Sequence, residues 1–112
     1  MNKNNKILRN YITQSGKVPF LDWLNGIKDS VTRHRIRRRL DRVELGHYGV
    51  YKALGDGICE LKLDFGPGYR IYFAEHDEII VILLCGGNKS SQVKDINTAK
   101  MYWQELLERS DE

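Results

Sequence analysis

Residues 79–85 read IIVILLC, an unbroken apolar run with no face left for water. A transmembrane helix needs roughly 18 such residues, so this run is far too short to span a bilayer. At this length it reads as a central strand, buried on both faces. Its partners stand just before it. Residues 58–64 (ICELKLD) alternate, with Cys59, Leu61 and Leu63 on one face and Glu60, Lys62 and Asp64 on the other. Residues 69–75 alternate too, with Tyr69, Ile71 and Phe73 against Arg70, Tyr72 and Ala74. Gly66-Pro67-Gly68 between these runs is a hairpin signal.

The rest of the chain supplies helices. Residues 6–13 (KILRNYIT) read as a first strand. Pro19 suits a first helical position, and Phe20, Leu24 and Ile27 follow at helical spacing. Asn25-Gly26 keeps that helix short. Ser30 is the expected N-cap of a second helix, whose apolar line is Ile36, Leu40 and Val43 and whose C-terminal glycine is Gly46. After Cys85-Gly86-Gly87 the stretch NKSSQVKD reads as a polar loop. Asp95 would cap a final helix carrying Ile96, Ala99, Trp103 and Leu106, and the acidic end is expected to fray. The expected order is β-α-α-β-β-β-α. This is an α+β fold: a small, mainly antiparallel sheet with a helical hairpin packed on one face. No linker or repeat divides the chain, so residues 1–112 read as one domain.

Arg70 is out of place in a strand that otherwise looks like core. Side chains alternate across a sheet, so pairing must keep the apolar faces together. Placing Phe65 opposite Tyr69 does so: Leu63 then faces Ile71, Asp64 faces Arg70 and Lys62 faces Tyr72. Arg70 thereby joins a polar face with Glu60, Lys62, Asp64 and Tyr72. That face is either solvated, with Arg70 paired to Asp64 or Glu60, or an anion-binding surface fit for phosphate chemistry.

Composition excludes several classes. With 41% hydrophobic and 29% charged residues, the chain is an ordinary globular one. MNKNNKILRN lacks the apolar core of a signal peptide, which points to the cytoplasm. In that compartment Cys59 and Cys85 read as reduced core residues. His34, His47 and His76 are scattered without metal-ligand spacing, so no metal and no cofactor is expected. The formal charge of +3 is modest, but its distribution is not: residues 33–42 read RHRIRRRLDR. On a helix, Arg35, Arg38, Arg39 and Arg42 share one face. That face is a solvated surface, a phosphate-backbone footprint or a site for an acidic protein. The loop Gly86–Gln92, with Lys89, permits close backbone approach to an anion but lacks the spacing of a phosphate-binding loop.

Taken together, GDGICELKLDFGPGYRIYF and LLCGGNKSSQVKDINTAK resemble the RelE/HigB toxin superfamily, in its addiction-module killer, phage-derived branch. RIRRRLDRVELGHYG and YKALGDGICELK fit the same branch, and the resemblance spans roughly residues 7–104. It implies a toxin of a type II toxin–antitoxin system: a metal-independent, ribosome-dependent mRNA endonuclease that inhibits translation. Its partners would be the ribosome, mRNA and an antitoxin, of helix-turn-helix type, from the adjacent gene. In such enzymes the RNA 2′-hydroxyl attacks the adjacent phosphate. By the resemblance Arg70 matches the phosphate-contacting arginine, and Lys62 and Lys89 match further cationic positions. Asp95 stands where some members carry a catalytic tyrosine. Asp95 or Glu60 could accept a proton, and Lys62 or Lys89 could donate one. Arg35, Arg38, Arg39, Arg42 and Lys52 are the candidate nucleic-acid contacts. Two alternatives share the resemblance: a ParE-like inhibitor of DNA gyrase, and a degenerate member that only binds its antitoxin.

Overall fold

A computed structural model of the chain describes residues 5–110. Among them lie five strands in one mixed sheet and three helices, an α+β architecture. The chain runs β1 (Ile7–Asn10), α1 (Pro19–Gly26), α2 (Ser30–Glu44), β2 (Tyr51–Gly55), β3 (Ile58–Lys62), β4 (Arg70–His76), β5 (Ile80–Gly87), a single 3-10 turn (Lys89–Ser91) and α3 (Gln92–Ser110). The sheet order is β1-β5-β4-β3-β2; β1 pairs parallel to β5, and every other pair is antiparallel. The apolar run is therefore an interior strand. The order differs from the expected one by a strand, β2. That strand is an exposed edge of five residues with no apolar alternation to announce it.

The helical hairpin forms as its residues dictate. Pro19 opens α1, where a missing N–H costs no hydrogen bond, and Phe20 and Leu24 are buried. The cap of α2 is Asp29, not Ser30, which is the first helical residue. Asp29 accepts from the Val31 N–H at 3.2 Å and from Thr32 Oγ1 at 2.7 Å. At the other end Gly46 takes φ +84°. Its N–H reaches Val43 O and that of His47 reaches Arg42 O, both at 2.9 Å, which closes the helix with a left-handed glycine.

The β3–β4 hairpin keeps the expected faces but shifts its register by two residues. Lys62 faces Arg70, Leu61 faces Ile71 and Glu60 faces Tyr72. A shift of two preserves face parity. The Leu63 N–H bonds to Tyr69 O at 3.0 Å, so residues 64–68 form the connection, turning through Gly66 and Gly68 at positive φ. Asp64 therefore lies in the loop and does not face Arg70.

Both faces of the sheet are covered. On one, Leu61, Leu63, Ile71, Phe73, Val81 and Leu83 pack on Phe20, Leu24, Ile36, Leu40 and Val43 of α1 and α2. On the other, Ile58, Tyr72, Ala74, Leu84 and Cys85 pack on Tyr11 and on Ala99 and Trp103 of α3. The face expected to be polar thus holds a second core, and Tyr72 is among its most buried side chains. A register slip between Tyr72 and Phe73 leaves Leu84 as an extra residue in β5 and turns both Leu84 and Cys85 towards α3. Cys59 packs against the α1–α2 core and Cys85 against the α3 core, so the two free thiols are separated by the sheet. The final helix starts four residues earlier than an Asp95 cap would place it, with Asp95 in its first turn, and the last two residues of the acidic end lie outside the described residues. Among the described residues no helix is long and apolar enough to cross a membrane.

Candidate functional site

Two rows of side chains cross the sheet on its α3 side. Lys52, Glu60, Tyr72 and Cys85 stand in register over four strands, and Lys62, Arg70 and Gly87 form the next row. α3 covers Tyr72 and Cys85. Beside that cover a pocket of about 240 Å³ stays open, lined by Val50, Tyr51, Lys52, Glu60, Lys62, Arg70 and Gln92.

Two opposite charges lie deep in its floor, Glu60 only 3% exposed and Arg70 only 7%. Charges so buried need partners. Glu60 Oε2 accepts from Tyr72 Oη at 3.1 Å and from Gln92 Nε2 at 2.8 Å. Arg70 Nη1 donates to Gly68 O at 2.8 Å. Arg70 Nε stands 3.7 Å from Glu60 Oε2, close enough for an ion pair and too far for a hydrogen bond. Among the described residues, Arg70 Nε is the buried side-chain polar atom that makes no hydrogen bond. Burial, then the charge of Glu60 and its hydrogen bond, raise the Tyr72 phenol above its ordinary range. Tyr72 is therefore a fixed neutral donor. A guanidinium held on a strand, flanked by Lys52 and Lys62 at the mouth, suits phosphate or carboxylate.

The amino-acid sequence has a relative. Over 87 residues the chain is 45% identical to an uncharacterized protein of Haemophilus influenzae, covering 78% of this chain and 88% of that one. The two proteins belong to one family. No family model matches the chain, and no solved structure matches it.

Of the residues singled out in the sequence, the pocket gathers Lys52, Glu60, Lys62 and Arg70. Lys89 and Asp95 do not line it. Lys89 is exposed in the 3-10 turn, its N–H directed at Pro67 O at 3.4 Å. Asp95 Oδ2 accepts from Ser91 Oγ at 2.5 Å and lies over Gly87. The double glycine is not an open anion loop. It ends β5, and Trp23 occupies the space a side chain on Gly86 would need. Tyr72, expected on the polar face, does stand on the face of Glu60 and Arg70, but opposite Glu60 rather than Lys62 and buried beneath α3. Gln92 has no signal of its own in the sequence, because the stretch NKSSQVKD reads as loop and the structure starts α3 there.

The arginine face of α2 is real and leads towards the same pocket. Arg35, Arg38 and Arg42 are exposed. With Asp41, Arg39 and Phe65 they line a groove of about 390 Å³, and Arg35 sits 3.9 Å over the Phe65 ring. A neighbouring depression of about 560 Å³ adds His47, Gly49, Val50, Lys62, Leu63 and Asp64, and Lys62 and Val50 belong to the central pocket as well. Arg39 differs from the other three. It is anchored to backbone carbonyls, bonding Tyr48 O and reaching Val50 O at 3.4 Å and Lys62 O at 3.5 Å. Among the described residues no cluster of three or more His, Cys, Asp or Glu side chains could hold a metal ion.

Proposed function

We propose that the chain is a toxin of the RelE/HigB type, an endoribonuclease that cuts mRNA on the ribosome and acts in the cytoplasm. The observation that carries this reading is the buried Arg70 guanidinium, fixed beside Glu60 on the floor of an open pocket whose mouth holds Lys52 and Lys62. Further support comes from the order of elements, which is the expected one with an added edge strand.

The chemistry follows from the groups present. The RNA 2′-oxygen bonds to the adjacent phosphorus as the bond to the 5′-oxygen breaks. Negative charge grows on the non-bridging oxygens, and pre-placed cations stabilise it. Arg70 is assigned that role. Glu60, the carboxylate among the lining residues, takes the 2′-proton; Lys62, opposite Arg70, gives a proton to the leaving 5′-oxygen. The exposed arginines of α2 hold the flanking phosphates along the groove that meets the pocket at Lys62. A helix-turn-helix antitoxin from the adjacent gene would cover this basic surface, and co-purification on co-expression checks that.

Purified protein added to ribosomes programmed with mRNA is expected to generate new RNA ends, mapped by primer extension. Inhibition of supercoiling by DNA gyrase with intact mRNA would instead select the gyrase-inhibitor reading. Intact RNA and normal supercoiling would leave antitoxin binding alone.

A further inference from the structure

The Glu60–Arg70 pair is buried, oppositely charged and unclosed. Between groups so little exposed the attraction is strong, and they close to hydrogen-bond distance unless something holds them apart. Glu60 Oε2 is held by Tyr72 Oη at 3.1 Å and by Gln92 Nε2 at 2.8 Å, while Arg70 Nε waits at 3.7 Å without a hydrogen bond. Arg70 is restrained in turn through its Nη1 bond to Gly68 O at 2.8 Å. Tyr72 and Glu60 face each other across β3 and β4, so their contact is set by the sheet. Gln92 is different: it reaches Glu60 from the first residue of α3, on another element.

We propose that Gln92 is a positioning residue that keeps Glu60 from closing on Arg70, so that both charged groups stay free for a phosphodiester. The tether takes up an acceptor position on Oε2 that the guanidinium would otherwise fill. Without it, Glu60 turns to Arg70, the pair neutralises itself, and an incoming phosphate must compete with a carboxylate already in place. The role of the pocket rests on the function proposed above; the state of the pair does not.

Two readouts separate those dependencies. The first is the Arg70 Nε–Hε proton in the NMR spectrum of the ligand-free protein. Replacing Gln92 with leucine (Q92L) is expected to move this resonance downfield, because Nε gains a hydrogen bond to Glu60. Gln92→Met, of similar length, is the second variant should leucine fail to fold. An unmoved resonance in a folded variant overturns the inference, whatever the protein binds. The second readout is the affinity for a short single-stranded 2′-O-methyl oligonucleotide, which cannot undergo 2′-hydroxyl attack. Q92L is expected to bind about tenfold more weakly, the scale of one hydrogen bond to a charged group. Adding Glu60→Gln removes the competing charge, so the double variant should bind at least as well as Glu60→Gln alone. A double variant as weak as Q92L contradicts the tether. Absence of binding by the wild-type protein, with the resonance moved as expected, overturns the proposed function and leaves the tether standing.

Discussion

The carboxylate of Asp95 fills the space above Gly87: a Cβ built on Gly87 would lie 1.7 Å from Asp95 Oδ2. Gly87 is the register partner of Arg70, so this close approach of α3 to β5 stands directly beside the pocket. A methyl group there must displace the Asp95 carboxylate and with it the hydrogen bond from Ser91 Oγ.

Gly87→Ala is therefore expected to lower stability by about 1–3 kcal/mol, the usual cost of overpacking a fitted site. Urea unfolding measures it. Adding Asp95→Ala removes the clash and should recover part of the loss, because the two positions touch. An unfolding midpoint unchanged by Gly87→Ala would contradict the fitted contact between the Asp95 carboxylate and Gly87.

The four arginines of α2 fall into two kinds. Arg39→Ala strips a donor from three carbonyls and should cost about 1–3 kcal/mol. Arg38→Ala and Arg42→Ala, both exposed, should stay within about 0.5 kcal/mol of wild type. Each should instead reduce the slope of log affinity against log salt for single-stranded RNA by about 0.7. The contrast needs thermal unfolding and a salt titration on the same proteins.

The β4–β5 turn carries Asp77 at φ +54° and Glu78 at φ +62°, a left-handed pair that favours glycine. Glu78→Gly should raise stability by about 1 kcal/mol, since it relieves the penalty of a side chain in that region. A lower melting temperature would contradict this.

Alkaline pH should loosen the protein in a defined window. Burial first, then the hydrogen bond to Glu105, push Tyr11 from 10.0 to about 12. A group whose value is raised on folding holds its proton more tightly in the native state. Its contribution is complete below about pH 10 and is lost as pH rises towards about 12. Tyr48 and Tyr72, raised by burial and by Glu75 and Glu60 respectively, act in the same direction. Unfolding midpoints should fall through that window, and Tyr11→Phe should flatten part of the fall.

How much of this was legible in the sequence varies by element. Pro19, Gly46 and the Phe20–Leu24 and Ile36–Leu40–Val43 spacings specify the helical hairpin, because local signals and buried faces agree. Alternation placed Glu60, Lys62 and Arg70 on one face, and the two-residue register shift left that intact. Alternation says nothing about what covers a face, so the burial of Tyr72 under α3, and of Glu60 and Arg70 in the pocket floor beside it, was not legible. Strand β2 has no apolar period and forms because β3 offers it an edge. Gln92 and Asp95 owe their places to where α3 starts, which Asn88 and Ser91 decide by a capping box at the preceding turn.

The most direct measurement is cleavage of mRNA in programmed ribosomes by the wild-type protein, Arg70→Ala and Arg70→Lys, with unfolding curves for each. Wild type should cut. Arg70→Ala should lose about a hundredfold or more in rate, the scale of one pre-organised donor on a developing oxyanion. Arg70→Lys should recover little of it, since a lysine cannot reproduce the planar fork. Cleavage by folded Arg70→Ala at the wild-type rate would contradict the assignment of Arg70 to the scissile phosphate.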